Sequence, residues 1–237
     1  MVDLKEFEQK AADLRVLGMK ISIGQDTVYE KYWDEDCRRN IYSASKSFTS
    51  CAVGFAVQEG LIDLDERLMD AFKEDIPNNP DENLKKATVK DLLTMTLGQE
   101  KGFLMGKQRP RMEEQNWVKA SLAIPFVYEP GTHFVYNNVG PYLAGILVQR
   151  RAGCDLLSYL TPRLLKPLGI RKTIWEVDPE GNTFGAGGLF LTVSELHKLG
   201  MFYLQNGCWN GKKLLSKEWI HESTRKQVEN NKNSYGY

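Results

Sequence analysis

A serine hydroxyl is a poor nucleophile until one group removes its proton and another stabilises the oxyanion that its attack creates. The segment Ser43-Ala-Ser-Lys46 offers the first of these devices. At i and i+3 on a helix the two side chains share a face, so the lysine amine comes within reach of the hydroxyl. At a helix N-terminus, Ser43 would also sit among free N–H groups, at the positive end of the dipole. Burial against apolar neighbours such as Phe48 would weaken the hold of Lys46 on its proton and let it act as a base.

A second group of residues, Tyr136-Asn137-Asn138, follows Pro130-Gly-Thr-His-Phe-Val135. A phenol beside a lysine ammonium can share its proton and serve as a general base, for acylation and for activating water. An amide two residues further on can accept a hydrogen bond from Lys46 and donate one to a substrate carbonyl. Read alone, Tyr136 is equally a loop aromatic and Asn138 a helix N-cap. Spacing alone proves little for the serine either, since roughly one Ser-x-x-Lys is expected by chance in a chain this long. A second copy does occur, Ser223-Thr-Arg-Lys226. It falls in a charged late helix without apolar backing and reads as solvated surface, whereas the Ser43 copy opens an apolar helix. Other chemistries find less support. His133, His197 and His221 lack metal-binding spacing, and His133 reads as a loop residue. There is no Gly-x-Ser-x-Gly elbow, and Gly185-Ala-Gly-Gly188 is not followed by the residues of a phosphate loop. Trp117 and Phe126 read as packing residues rather than the rim of a cleft.

The elements that must position these residues follow from periodicity. Leu4, Phe7, Ala11 and Leu14 predict an opening amphipathic helix. Gly18–Gly24 and Thr27–Trp33, joined through Gln25-Asp26, predict an antiparallel hairpin. A strong helix is expected from about Ser43 to Glu59, stopped by Gly60. From Asp63 to about Arg171 the pattern is mainly helical, with Thr88–Asp91 as a cap and helices at Val139–Arg151 and Leu156–Leu168. Thr192 and Glu195 form a capping-box pattern for a helix through Leu204. A Gly-Cys-Trp-Asn-Gly loop, a last helix around Lys217–Val228 and a polar end at Ser234-Tyr-Gly-Tyr237 complete the chain. With 31 basic and 31 acidic residues among 237 the formal net charge is zero, which gives no footprint for nucleic acid or anionic lipid. The basic clusters Lys107–Arg111 and Arg150-Arg151 read as solvated faces. Cys37, Cys51, Cys154 and Cys208 are scattered and read as free thiols. No secretory leader and no membrane-spanning run is apparent, so a cytoplasmic protein is expected.

Taken together, these segments resemble the serine β-lactamase and penicillin-binding-protein superfamily, in its class C-like branch. That branch includes class C β-lactamases, D-alanyl-D-alanine carboxypeptidases, family VIII esterases and 6-aminohexanoate-dimer hydrolases. Ile41–Ser50 resembles its nucleophile segment, Thr88–Gly98 the helix and turn flanking the pocket, Glu129–Asn138 the Tyr-x-Asn loop, and Gly187–Leu196 the return from the helical lobe. The resemblance implies an α/β (α+β) fold, with an antiparallel sheet lobe (residues 1–42 and 186–237) against a mainly helical lobe (43–185). It implies Ser43 as the acylated nucleophile, Lys46 as its proton partner, Tyr136 as general base and Asn138 as the clamp on substrate and lysine. No cofactor or metal is implied. The expected substrate is a small molecule or short peptide with an amide, ester or β-lactam bond, with no nucleic-acid or membrane partner. The alternative is a non-catalytic peptide- or partner-binding module, or an inactive truncated relative. The family's third motif, Lys/His-Thr/Ser-Gly, does not occur after Asn138, where Lys172-Thr173 is followed by Ile174. Ser234–Tyr237 is expected to begin the strand leading towards it. Without the strands that follow, the hairpin would keep an open edge and a route to self-association.

Overall fold

The computed structural model describes residues 4–230. It is a mixed α/β fold in which short antiparallel ribbons frame a helical core. The opening helix α1 (Lys5–Ala11) is followed by β1 (Gly18–Ile23) and β2 (Asp26–Tyr32), paired antiparallel with Gly18 opposite Tyr32. Next come β3 (Arg39–Asn40), a 3-10 turn at Tyr42–Ala44 and the helix α2 (Ser45–Gln58). Short helices follow at α3 (Leu68–Ala71), α4 (Glu82–Lys86), α5 (Val89–Thr94) and α6 (Trp117–Leu122), before the long α7 (Val139–Ala152) and α8 (Leu156–Leu160). The chain then returns through β4 (Phe190–Leu191) to α9 (Val193–Leu204), the ribbon β5 (Cys208–Trp209) and β6 (Lys212–Lys213), and α10 (Lys217–Thr224).

Two of these elements fix where Ser43 lies. Helix α2 is buried along nearly its whole length, from Ser45 to Ala56, because it carries small and apolar residues on every face. It packs on α7, and α7 packs on α5. The α2 helix ends as its sequence predicts: Gly60 takes φ +71, and the Gly60 and Leu61 N–H groups turn back to Val57 and Ala56 carbonyls at 3.0 and 2.8 Å. Strand β3 pairs with β4, Asn40 opposite Phe190, which sets the Tyr42–Ala44 turn beside the Gly-rich return at 185–189. The cap expected at Thr88–Asp91 is a full capping box for α5, and the capping box expected at Thr192/Glu195 forms for α9.

Several expectations need correction. Ser43 is not the first residue of the α-helix but the middle of the 3-10 turn before it. The helix expected over Leu156–Leu168 closes at Leu160 and continues as a wide π turn over Thr161–Leu165, because Pro162 has no N–H to continue the i→i−4 ladder. The Gly-Cys-Trp-Asn-Gly loop is a hairpin: Asn210 and Gly211 both take positive φ, +48 and +74, the dihedral signature of a two-residue turn with Asn-Gly at its tip. Helix α10 stops at Thr224, so the second Ser-x-x-Lys is not on one helix, and its Ser223 is buried, donating to the Ile220 carbonyl. The basic clusters are largely exposed, as expected, and three of their arginines also pair with carboxylates: Arg150 with Asp75, Arg151 with Glu66, and Arg109 with Glu176. All four cysteines are free thiols. Among the described residues no helix is long and apolar enough to cross a membrane. Ser234-Tyr-Gly-Tyr237 lies outside the described residues.

Candidate active site

Lys46 is the hub. Its residue is 9% exposed while Ser43, three residues earlier, faces solvent. The lysine Nζ donates to Ser43 Oγ at 3.2 Å, to Asn138 Oδ1 at 2.8 Å and to the Ala186 carbonyl at 2.6 Å. Three acceptors for three N–H groups favour the ammonium. Burial opposes it, and so, secondarily, does the charge of Arg109, and together they bring the lysine down to about 8. Tyr136 presents the face of its ring to the same ammonium, 5.2 Å from centroid to Nζ. The four residues singled out by sequence therefore converge on one point, although Tyr136 meets Lys46 through its ring rather than its hydroxyl.

Each partner is held by the elements around it. The Ser45 hydroxyl, fully buried, donates to the Tyr42 carbonyl at 2.6 Å and accepts the Leu189 N–H at 3.1 Å. Thr49 donates to the Gly185 carbonyl at 2.8 Å, and Trp175 Nε1 to the Gly187 carbonyl at 2.8 Å. The Ser45 and Thr49 bonds tie one face of α2 to the 185–189 return, Trp175 holds the return from the other side, and the Ala186 carbonyl meets Lys46. Gly188 sits here at φ +83, where a Cβ would come 2.4 Å from the Glu176 side chain, so only glycine lets the two segments approach. On the opposite flank, Asn138 stands at the N-cap position of α7, but its side chain makes no cap bond. Its N–H donates to the Phe103 carbonyl at 3.2 Å and its Nδ2 to the Leu104 carbonyl at 2.9 Å. That second bond fixes the amide orientation, leaving Oδ1 to face the lysine.

Sequence reasoning missed four contributors: the carbonyls of Ala186 and Leu104, the Ser45 hydroxyl, and Arg109. Arg109 lies over the Phe184 ring at 4.2 Å and pairs with Glu176 at 3.0 Å. Backbone acceptors leave no signature in residue type, whereas Ser45 stood inside the recognised segment. His133 stacks on Tyr128, with centroids 4.2 Å apart, and shares a hydrogen bond with Thr132, a loop role as expected. Trp117 packs in the core against Tyr142 and Phe184.

The beta-lactamase family model matches residues 5–234. The chain belongs to the beta-lactamase family. Among curated relatives of this family, the chain is 31% identical over 157 residues to monacolin J acid methylbutanoyltransferase from Aspergillus terreus, a match covering 58% of this chain and 37% of the relative. It is also 31% identical over 150 residues to lovastatin esterase from Penicillium rubens, covering 54% and 37%. Among solved structures, the octameric penicillin-binding protein homologue from Pyrococcus abyssi superposes with a TM-score of 0.79 at 22% identity, over 100% of this chain and 64% of that one. The chain thus spans under two thirds of the length of these beta-lactamase-family relatives.

Proposed function

We propose that this chain carries the nucleophilic centre of a serine hydrolase or acyltransferase, opening an amide, ester or β-lactam carbonyl through an acyl-Ser43 intermediate. The observation that supports this reading above others is the Lys46 ammonium, which reaches Ser43 Oγ, Asn138 Oδ1 and the Tyr136 ring at once. In the first step, Ser43 Oγ bonds to the carbonyl carbon while its proton passes to neutral Lys46. The tetrahedral intermediate then expels the leaving group, which departs with the proton returned by Lys46. In the second step, water or an acceptor alcohol, deprotonated with the help of Tyr136, attacks the acyl ester and frees Ser43. The Asn138 amide has a second Nδ2 N–H with which to hold the substrate carbonyl. A lobe of residues 1–42 and 186–237 facing a helical lobe of 43–185 would place this cleft at their junction. Within the 237 residues there is no Lys/His-Thr/Ser-Gly motif after Asn138.

Labelling with a fluorescent penicillin and with a fluorophosphonate tests the reading. Wild type should form a covalent adduct on Ser43, and Ser43→Ala none. Lys46→Ala should reduce adduct formation further than Asn138→Ala, because it removes the proton acceptor rather than a positioning bond. An unlabelled wild type, or equal labelling of Ser43→Ala, would leave the non-catalytic binding module as the better account.

A further inference from the structure

The residue immediately before the nucleophile breaks two local rules. Tyr42 takes φ +49, the left-handed region in which a Cβ crowds the following carbonyl and which glycine or asparagine enters more readily. Its side chain is 74% exposed, more than any other large apolar or aromatic side chain among the described residues. The strained backbone is held from both sides: the Tyr42 N–H donates to Asn40 Oδ1 at 2.7 Å, and its carbonyl accepts the buried Ser45 hydroxyl at 2.6 Å. Ser45 is itself anchored by the Leu189 N–H. The turn is therefore over-determined, and the ring of the residue that precedes Ser43 is left in solvent. Neither packing nor a hydrogen bond of its phenol among the described residues accounts for an aromatic at this position. Strain that its surroundings enforce clusters at sites that bind or react. An exposed aromatic beside a reactive hydroxyl offers a large, rigid contact at little conformational cost, since it has only two side-chain torsions to fix. Tyr136, itself 39% exposed, presents another ring to Lys46, the partner of Ser43.

We propose that Tyr42 is a specificity-determining residue whose exposed ring stacks on an aromatic group carried by the acyl compound that Ser43 attacks. The attack by Ser43 rests on the acyl-serine reading; the ring contact itself does not. The occupant is a planar apolar group because the position supplies a ring face and no charge. Its place beside the nucleophile puts that group next to the carbonyl under attack, so an arylacetyl compound fits better than a simple acetyl one.

The Ser43→Ala chain removes turnover and allows binding to be measured directly. It is titrated with phenylacetamide and with acetamide, following backbone amide shifts by NMR. Phenylacetamide should bind more tightly than acetamide, and adding Tyr42→Gly should weaken phenylacetamide by about two- to tenfold, the range of an aromatic pair, while leaving acetamide unchanged. Tyr42→Phe should keep the preference. Because glycine accepts φ +49, Tyr42→Gly should hold or raise the thermal midpoint. Three results overturn the proposal: no measurable phenylacetamide binding, equal phenylacetamide affinity with and without the Tyr42 ring, or a midpoint lowered by several degrees in Tyr42→Gly, which would make the ring a packing residue. A preference for phenylacetamide that survives while wild-type Ser43 takes no covalent label would remove the acyl-enzyme reading and leave this subsite standing.

Discussion

Lys46 is asked to be two things. Three hydrogen bonds hold it as an ammonium against Ser43, yet in the proposed mechanism it must accept the serine proton as the neutral amine. Burial, and behind it the Arg109 charge, brings the lysine to about 8, so a usable fraction is neutral near physiological pH and the fraction grows as pH rises. The rate of acylation of wild type by a fluorophosphonate should therefore climb with pH and level off above about 8. Arg109→Gln removes a positive neighbour, so the ammonium is less disfavoured, the lysine holds its proton to higher pH, and the rising limb should move to the alkaline side. A limb that stays in place in a variant with an unchanged fold would mean that another group governs the profile. Four of the site's side chains were legible in the sequence because each advertises its chemistry by type: a hydroxyl, an amine, a phenol and an amide, at spacings that local structure brings together. Arg109 was not, since its basic cluster looks like any solvated face until Phe184 and Glu176, more than 60 residues away, are folded against it. The carbonyls of Ala186 and Leu104 were illegible for a stronger reason, that every residue has one.

At the scale of elements, the site depends on how closely α5, α7 and α2 approach. Gly140, in the first turn of α7, is where α5 comes nearest: a Cβ there would lie 2.1 Å from the Leu92 carbonyl. Two residues earlier stands Asn138, whose amide reaches Lys46, so pushing α7 away from α5 moves a catalytic candidate as well as the core. Gly140→Ala should cost roughly 1–3 kcal/mol of stability, the usual penalty of overpacking against atoms that cannot yield, and should also slow acylation. Gly200 in α9 provides the contrast. Its Cβ would meet nothing within 4 Å, and it is exposed, so Gly200→Ala should stabilise by about 0.5–1 kcal/mol through helix propensity alone. Urea unfolding of both variants checks the pair, and similar midpoints would contradict the account of close approach at α5–α7. The helices and caps of this region were readable from periodicity and from Thr–Asp and Thr–Glu spacing. The β5–β6 hairpin was readable too, through Asn210-Gly211, but two-residue strands carry no alternation to reinforce the turn signal. The break after Leu160 required weighing Pro162 against an otherwise continuous apolar pattern.

Over the whole molecule, the balance of charge and the layout of the sheets act together. The β1–β2 ribbon packs on α9, and among the described residues the outer edge of β1 has no strand beside it. Unpaired N–H and C=O groups along such an edge are a template for another chain, and proteins blunt them with charge, bulges or cover. Here β1 reads Gly-Met-Lys-Ile-Ser-Ile, with a single charge, and its Lys20 is already paired to Glu30 at 2.8 Å. Ile23, at the strand's end, is 61% exposed. A formal net charge of zero supplies no long-range repulsion between copies. The 237-residue chain should therefore self-associate through β1, and sedimentation velocity should show a weight-average coefficient that rises with concentration near neutral pH. Ile23→Lys places an unpaired charge on the edge and adds a positive charge to the whole chain, so the rise should be reduced or lost, while unfolding by urea is little changed because the residue is exposed. Wild type that stays monomeric across the same concentrations would show that the β1 edge is already protected. Association that persists unchanged in Ile23→Lys would place the contact on a different face of the molecule.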